Sequence, residues 1–393
     1  MKFGKQVREK YFSLLDPNLN PINHGSYGLT PLPVYNEFIR SIREDYAFPD
    51  KYMIDTQGTE YLNAVKTVGE IVKCDYHNIA MTDNATSGIN TIFRSKEWKK
   101  TDKVLITSVV YDSCEHALRY MQRTFGFEVI KIDLDVAKDV FKQFKQAVEE
   151  NPGINMVMFD LISSMPAVLF PYKELVAYFK SKNIISVIDG AHGIGLLPLN
   201  LGELDPDYFV SNLHKWYYCP RPLAFMYVSK KHFKEIQPMP ISHVYDTEHV
   251  TENTLIDKFK FLASKNYAYY NCVGAAKKFR ENWGDEEIWS YCDNLKKEVV
   301  EWLTKRWGTK QFGNEILQMA NIEIPKKFNI PRETTELFKK DMSKTGEYAQ
   351  VAYYKDKFLI RLSFQIYNEF EDYVKAIEAL EPLLLNYQGR NKL

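Results

Sequence analysis

Short apolar runs and amphipathic stretches alternate along residues 78–230. Runs at 78–81, 104–107, 128–132 and 155–159, then at 184–188, 208–211 and 223–228, read as strands. Between them, apolar residues recur every three or four positions at 113–124, 136–150 and 172–182, the helical period. This alternation predicts a mostly parallel seven-stranded sheet sandwiched by helices, because parallel neighbours need crossover connections. The rest of the chain has another rhythm. A long helical pattern over 262–305, interrupted where turn residues cluster at Asn282-Trp283-Gly284-Asp285, gives way to a strand-like run at 314–324. Helix-like 332–343, strand-like 347–353 and 357–363, and helix-like 368–386 follow. The pattern predicts a large α/β domain over 20–260 and a smaller α+β domain over 261–393. The helix-like residues 1–19 are expected to pack on the smaller domain or on its neighbour.

Composition narrows the function classes. The 393 residues carry 51 Lys+Arg against 51 Asp+Glu, so no net charge draws the chain to phosphate backbones, and nucleic-acid binding is not expected. No apolar run approaches the ~20 residues of a membrane-spanning helix. The N-terminus turns charged at Lys2 and builds no signal-peptide apolar core. The five cysteines are scattered without a Cys-x-x-Cys pair, so neither a disulfide framework nor a zinc site is expected. A soluble protein of the cytoplasm, with the nucleus as a second compartment, is the expectation. One oddity remains: 26 Tyr and 24 Phe stand beside only 18 Gly.

Four segments fall at C-terminal ends of predicted strands, the edge where open parallel sheets bind ligands. Asp83-Asn84-Ala85-Thr86-Ser87-Gly88 opens a helix, and is either an ordinary N-cap or an anion site. Asp189-Gly190-Ala191-His192-Gly193 places a carboxylate after an all-apolar strand, where it caps the next helix or meets a cationic partner such as a protonated pyridine. Ser211-Asn212-Leu213-His214-Lys215-Trp216 offers a lysine between aromatic neighbours, a surface charge or an amine nucleophile. Thr107-Ser108-Val109-Val110-Tyr111-Asp112-Ser113-Cys114 places Tyr111 where a ring stacks on a planar ligand or packs in the core.

Together, an anion nest, a carboxylate, a lysine and a stacking aromatic on one sheet edge describe a pyridoxal 5'-phosphate (PLP) site. At these segments the chain resembles the class V aminotransferases, fold-type I PLP enzymes. The resemblance runs from Asn23-His24-Gly25-Ser26-Tyr27-Gly28 to Arg361-Leu362-Ser363-Phe364-Gln365-Ile366-Tyr367-Asn368. It implies that Lys215 is the Schiff-base lysine, Asp189 the partner of the pyridine nitrogen, and His192 the contact of the ring's phenolic oxygen. Tyr111 is similar to the stacking residue, and Ala85, Thr86, Ser211 and His214 to the phosphate-binding set. Arg361 resembles the clamp on the substrate α-carboxylate, a task suited to a bidentate guanidinium, with Asn23 and Tyr27 beside the substrate. No metal is expected. The family also implies a homodimer and a small amino-acid substrate. Its members carry a Gly-Thr pair that reaches the other subunit's phosphate; Phe261-Leu262-Ala263-Ser264-Lys265-Asn266 matches here, with Ser264 keeping the hydroxyl.

Within the family, Asp160-Leu161-Ile162-Ser163-Ser164-Met165-Pro166, the stretch from Val187 to Gly195, and Ser211 to Trp216 are most similar to the fungal hercynylcysteine sulfoxide lyases of ergothioneine biosynthesis. That implies β-elimination. Lys215 removes the α-proton, Tyr111 supplies one to the leaving group, and a sulfenic acid, pyruvate and ammonia are released. Tyr27, Trp216, Tyr217 and Tyr218 are candidates to hold the substrate's trimethylammonium group by cation–π contact, with core packing as their alternative. Isopenicillin N epimerase-like proteins share much of the pattern and are the second reading. Cysteine desulfurases need a cysteine in the C-terminal region, and none follows Cys292. A binding protein that keeps the pocket for structure alone is the alternative of another class; intact Lys215, Asp189, His192 and Arg361 weigh against it.

Overall fold

The computed structural model describes residues 2–245, 248–316 and 318–387. The chain forms two compact units. The larger comprises Pro33–Ser163 and Phe170–Phe279, the smaller Met1–Leu32, Ser164–Leu169 and Arg280–Leu393.

The larger unit holds strands β1 (Ile79–Thr82), β2 (Lys103–Thr107), β3 (Glu128–Ile132), β4 (Met156–Asp160), β5 (Ile185–Asp189), β6 (Tyr208–Asn212) and β7 (Ala224–Val228). They form one sheet in the order β1-β7-β6-β5-β4-β2-β3. Only β7 runs against the others, pairing antiparallel with β1 and β6. Every residue of β4, β6 and β7 is buried, which requires cover on both faces and explains why these strands read as continuous apolar runs. The edge strand β3 instead exposes Glu128 and Lys131, charges that discourage pairing with another chain.

Two helices begin beside the sheet's C-terminal edge. Helix Asp112–Phe125 buries Cys114, Leu118 and Met121, a single stripe at helical spacing. Helix Ala85–Ser95 packs on β6 through Gly88, where a Cβ would lie 2.6 Å from Val210 Cγ1. Only glycine allows that approach.

The smaller unit is built on an antiparallel sheet of β8 (Gln311–Ile316), β9 (Met319–Glu323), β10 (Gln350–Tyr354) and β11 (Lys357–Ser363), in the order β10-β11-β9-β8. Helices Asp285–Trp307 and Phe370–Asn386 complete the α+β pattern.

The expected boundaries at 19/20 and 260/261 need correction. Residues 20–32 belong with the smaller unit because Ile22 O accepts Ser363 N–H at 2.9 Å and Gly25 N–H donates to Ser363 Oγ at 3.0 Å. Residues 261–279 belong with the larger one. Asn271 donates to Glu60 there, and the Cys272 thiol to Val34 O. Residues 164–169 cross over because two asparagines each bond both backbone groups of one residue: Asn321 those of Ala167, Asn314 those of Leu169.

The helical pattern from 262 also fails at its start, since the helix begins at Cys272. Tyr267 Oη takes the Leu262 N–H at 2.8 Å and donates to Ala263 O at 2.5 Å, closing a tight loop with Ala263 at φ 63°. The strand-like run 314–324 is two strands, β8 and β9. At the N-terminus only Lys5–Tyr11 is helical among the first twenty described residues.

Candidate active site

The C-terminal ends of β4, β5 and β6 bring three chemistry-bearing segments of the larger unit side by side. Asp189 ends β5 and is buried. One oxygen accepts the Ala191 N–H at 3.0 Å, the other the Cys114 thiol at 3.5 Å. Burial raises the Asp189 carboxyl above the usual range, opposed by the Ala191 N–H, the Lys215 charge and the Cys114 contact. Asp160 ends β4 as its register partner. Burial, and then the Asp189 charge, push Asp160 well above the carboxylate range. The same two causes push the Cys114 thiol well up, so it acts as a donor and not as a thiolate.

Lys215 follows β6. Its Nζ lies 3.4 Å from His192 Nε2, and His192 Nδ1 meets Trp216 Nε1 at 3.0 Å. His214 is buried, its Nδ1 2.8 Å from Leu223 O, and burial lowers its pKa to about 4, so the ring is neutral. Tyr111 is 47% exposed at the N-cap of helix Asp112–Phe125.

Helix Ala85–Ser95 starts beside them. Asn84 caps it, accepting Ser87 N–H at 2.8 Å, and Asn212 Oδ1 accepts Ala85 N–H at 2.9 Å. Among the described residues this leaves the Thr86 N–H without a protein partner, at the positive end of the helix dipole. Ser211 is a correction. Its hydroxyl is wholly buried, donates to Gly190 O at 2.5 Å and accepts Ile194 N–H at 3.0 Å. With its one proton so engaged, it shapes the 190–194 turn and has no donor to offer a phosphate.

The aromatic candidates also separate. Trp216, Tyr217 and Tyr218 are buried in the core, which corrects their reading as cation receptors, whereas Tyr27 is 62% exposed. Ser264 is exposed, and its neighbour Lys265 pairs with Asp83 at 3.0 Å.

In the smaller unit, Arg361 lies on β11, 1% exposed and without a carboxylate partner among the described residues. Nη1 donates to Ser164 O at 2.6 Å and Nη2 to Ser26 Oγ at 3.0 Å; Ser26 in turn donates to Asn23 Oδ1 at 2.9 Å. Its Nε–H is buried without a partner among the described residues. Burial lowers the guanidinium pKa to about 10, with Tyr348 and Tyr27 as its charged-form supports. A buried cation with an open donor is a receptor for an anion.

Sequence reasoning missed Asp160, Cys114 and Asn212, and gave Trp216 a cation-binding role in place of its bond to His192. Each lies in or beside a quoted segment, but its partner is distant in sequence.

Residues 51–376 match the Aminotransferase class-V family. The chain belongs to that family. Hercynylcysteine sulfoxide lyase of Schizosaccharomyces pombe is 32% identical over 381 residues, covering 94% of this chain and 95% of that one. An L-cysteine desulfhydrase-like protein of Epichloe uncinata is 26% identical over 82% of this chain and 74% of its own. In three dimensions, a cystine C–S lyase solved with its product cysteine persulfide matches with a TM-score of 0.77 at 16% identity, over 94% of this chain and 98% of that one. This last likeness shows the fold, that of type I PLP enzymes.

Class V aminotransferases are PLP enzymes, and the residues fit that cofactor. Asp189 is a buried carboxylate able to meet a protonated ring nitrogen, and the helix at Ala85 offers an open N–H to a phosphate. Lys215 supplies the amine, beside His192.

Proposed function

We propose that this PLP-dependent carbon–sulfur lyase cleaves a cysteine S-conjugate sulfoxide, hercynylcysteine sulfoxide, by β-elimination. The observation that carries the reading is the end-to-end similarity to the Schizosaccharomyces pombe lyase, in a chain that keeps Lys215, His192 and Asp189 together. PLP, when bound, would hold the substrate amine and take up the electron pair released at Cα. Lys215 accepts the α-proton at Nζ, with His192 holding that nitrogen in place. Asp189 balances the charge of the cofactor ring. Tyr111, exposed beside the site, gives a proton to the departing sulfenate oxygen as the Cβ–S bond breaks with its electron pair on sulfur. Water then converts the remaining three-carbon fragment to pyruvate and ammonia. Arg361 and its Ser26–Asn23 chain take the substrate α-carboxylate.

A second reading, L-cysteine desulfhydration, is favoured by the Epichloe uncinata relative. A persulfide-forming desulfurase is disfavoured: Cys114, Cys219, Cys272 and Cys292 are buried and Cys74 is half-buried, and burial is the chief cause that pushes up the thiol pKa of all five. We also propose a homodimer in the cytoplasm, testable by sedimentation and by imaging a fluorescent fusion.

Purified protein incubated with hercynylcysteine sulfoxide, with L-cysteine and with a panel of cysteine sulfoxides tests the reading. Pyruvate from the sulfoxide at higher kcat/KM than from cysteine is expected. Sulfide from cysteine alone would favour the second reading, and inversion at Cα without fragmentation an epimerase. Lys215→Ala should lose the visible absorbance of bound cofactor and all but ~0.1% of turnover.

A further inference from the structure

Asp160 has no part in the chemistry above, yet it is the most deeply placed carboxyl of the sheet edge. It ends β4 directly beside Asp189 on β5, the two being register partners in a parallel pair. Register partners on neighbouring parallel strands point to the same face, with backbones about 4.8 Å apart. Both side chains are buried, and Asp160 Oδ2 has no hydrogen-bond partner among the described residues.

As carboxylates the two residues are acceptors only, so no hydrogen bond can form between them. Two negative charges at this separation, away from water, repel strongly. One added proton removes both problems, since a protonated carboxyl is a donor. Asp189 already receives the Ala191 N–H and the Cys114 thiol, and feels Lys215, all of which favour its ionised form. For Asp160, burial and the Asp189 charge both disfavour ionisation, and only its own backbone N–H works the other way. The proton therefore belongs on Asp160.

We infer that Asp160 is held as the neutral carboxylic acid and donates its O–H to Asp189, fixing the charge and aim of the carboxylate that faces the cofactor ring. Asp160 is a positioning residue. With it neutral, the pair carries one negative charge, matching the single positive charge of a protonated pyridine. The inference rests on the PLP reading for its purpose, but not for the protonation itself. The groups that bear on the pair are Cys114 from helix Asp112–Phe125, Lys215 after β6, and the two carboxyls.

The test uses the full chain and two variants. Infrared difference spectra at pH 7 between wild type and Asp160→Asn should show a protonated-carboxyl C=O band present only in wild type. Asp160→Asn, a neutral donor, should bind PLP within about threefold of wild type, whereas Asp160→Leu, with no donor, should bind about tenfold more weakly or worse. Absence of the band, or equal weakening by both variants, would overturn the inference. If Asp160→Leu fails to fold, the band and the Asp160→Asn affinity still decide. If wild type binds no PLP, the cofactor reading fails, while the band judges Asp160 by itself.

Discussion

The indole N–H of Trp216 points at Nδ1 of His192 across 3.0 Å. An indole nitrogen can only donate, so Nδ1 of His192 accepts and the ring proton sits on Nε2. That N–H faces Lys215 Nζ at 3.4 Å. A core tryptophan thereby sets the tautomer of a histidine at the reacting lysine.

Replacing this indole by a ring without a donor should show in turnover as well as in folding. Trp216→Phe keeps an aromatic ring but gives up part of the volume of a fully buried side chain and one buried hydrogen bond, a cost of about 2 kcal/mol. We expect a loss of unfolding free energy of that size in urea melts and a fall in kcat of about tenfold. Unchanged kcat would mean that His192 holds its tautomer by other means.

Gly195 carries the turn after His192 under Trp216. It has φ 82°, and a Cβ there would lie 2.5 Å from Trp216 O. Gly195→Ala meets both a left-handed backbone and a backbone atom that cannot give way. Its expected cost is about 2–3 kcal/mol, with weakened retention of PLP. Denaturant melts and dialysis against PLP-free buffer read the two effects separately.

Arg361→Lys keeps a charge but loses the fork that reaches Ser164 O and Ser26 Oγ together. A lysine cannot present a planar pair of donors to a carboxylate. KM for the amino-acid substrate should rise about tenfold or more, with a smaller effect on kcat. A change confined to kcat would move Arg361 out of the binding role.

Acid stability should depend on the far end of β6. Burial works against ionisation of Asp207, but bonds from His232, Lys231 and Ser186 hold its pKa down to about 2, from 3.8. Burial likewise opposes protonation of His232, yet Asp207 and Glu235 raise its pKa above 6.5. A depressed carboxyl contributes stability above its unfolded pKa and loses it as pH falls, here between roughly pH 4 and 2. A raised histidine contributes below its unfolded pKa, and loses that as pH rises through its folded value. Stability should therefore peak between roughly pH 4 and 6.5, with ~2 kcal/mol tied to Asp207. Melting temperatures across pH 2–8 should fall at both ends in wild type, and Asp207→Asn should flatten the acid limb.

Local pattern was enough for the sheet and for the residues that announce themselves at strand ends. All seven strands of the larger unit begin and end within a residue of their apolar runs, and for β4, β6 and β7 the reason is that a strand buried on both faces must be apolar throughout. Lys215, Asp189 and His192 were legible for a related reason: a charged or titratable residue within four positions of the end of such a run has few structural uses. Tertiary structure alone decided what surrounds them. Asp160 meets Asp189 through strand register, Trp216 reaches His192 across two loops, and Asn212 caps a helix that starts over a hundred residues earlier. Ser211 turned from phosphate ligand to turn-former for the same reason, since its partners Gly190 and Ile194 are set by the β5–β6 pairing. The unit boundaries moved because Asn314 and Asn321 stitch 164–169 to the smaller sheet. Period and composition are properties of neighbours along the chain, whereas hydrogen-bond partners are properties of neighbours in space.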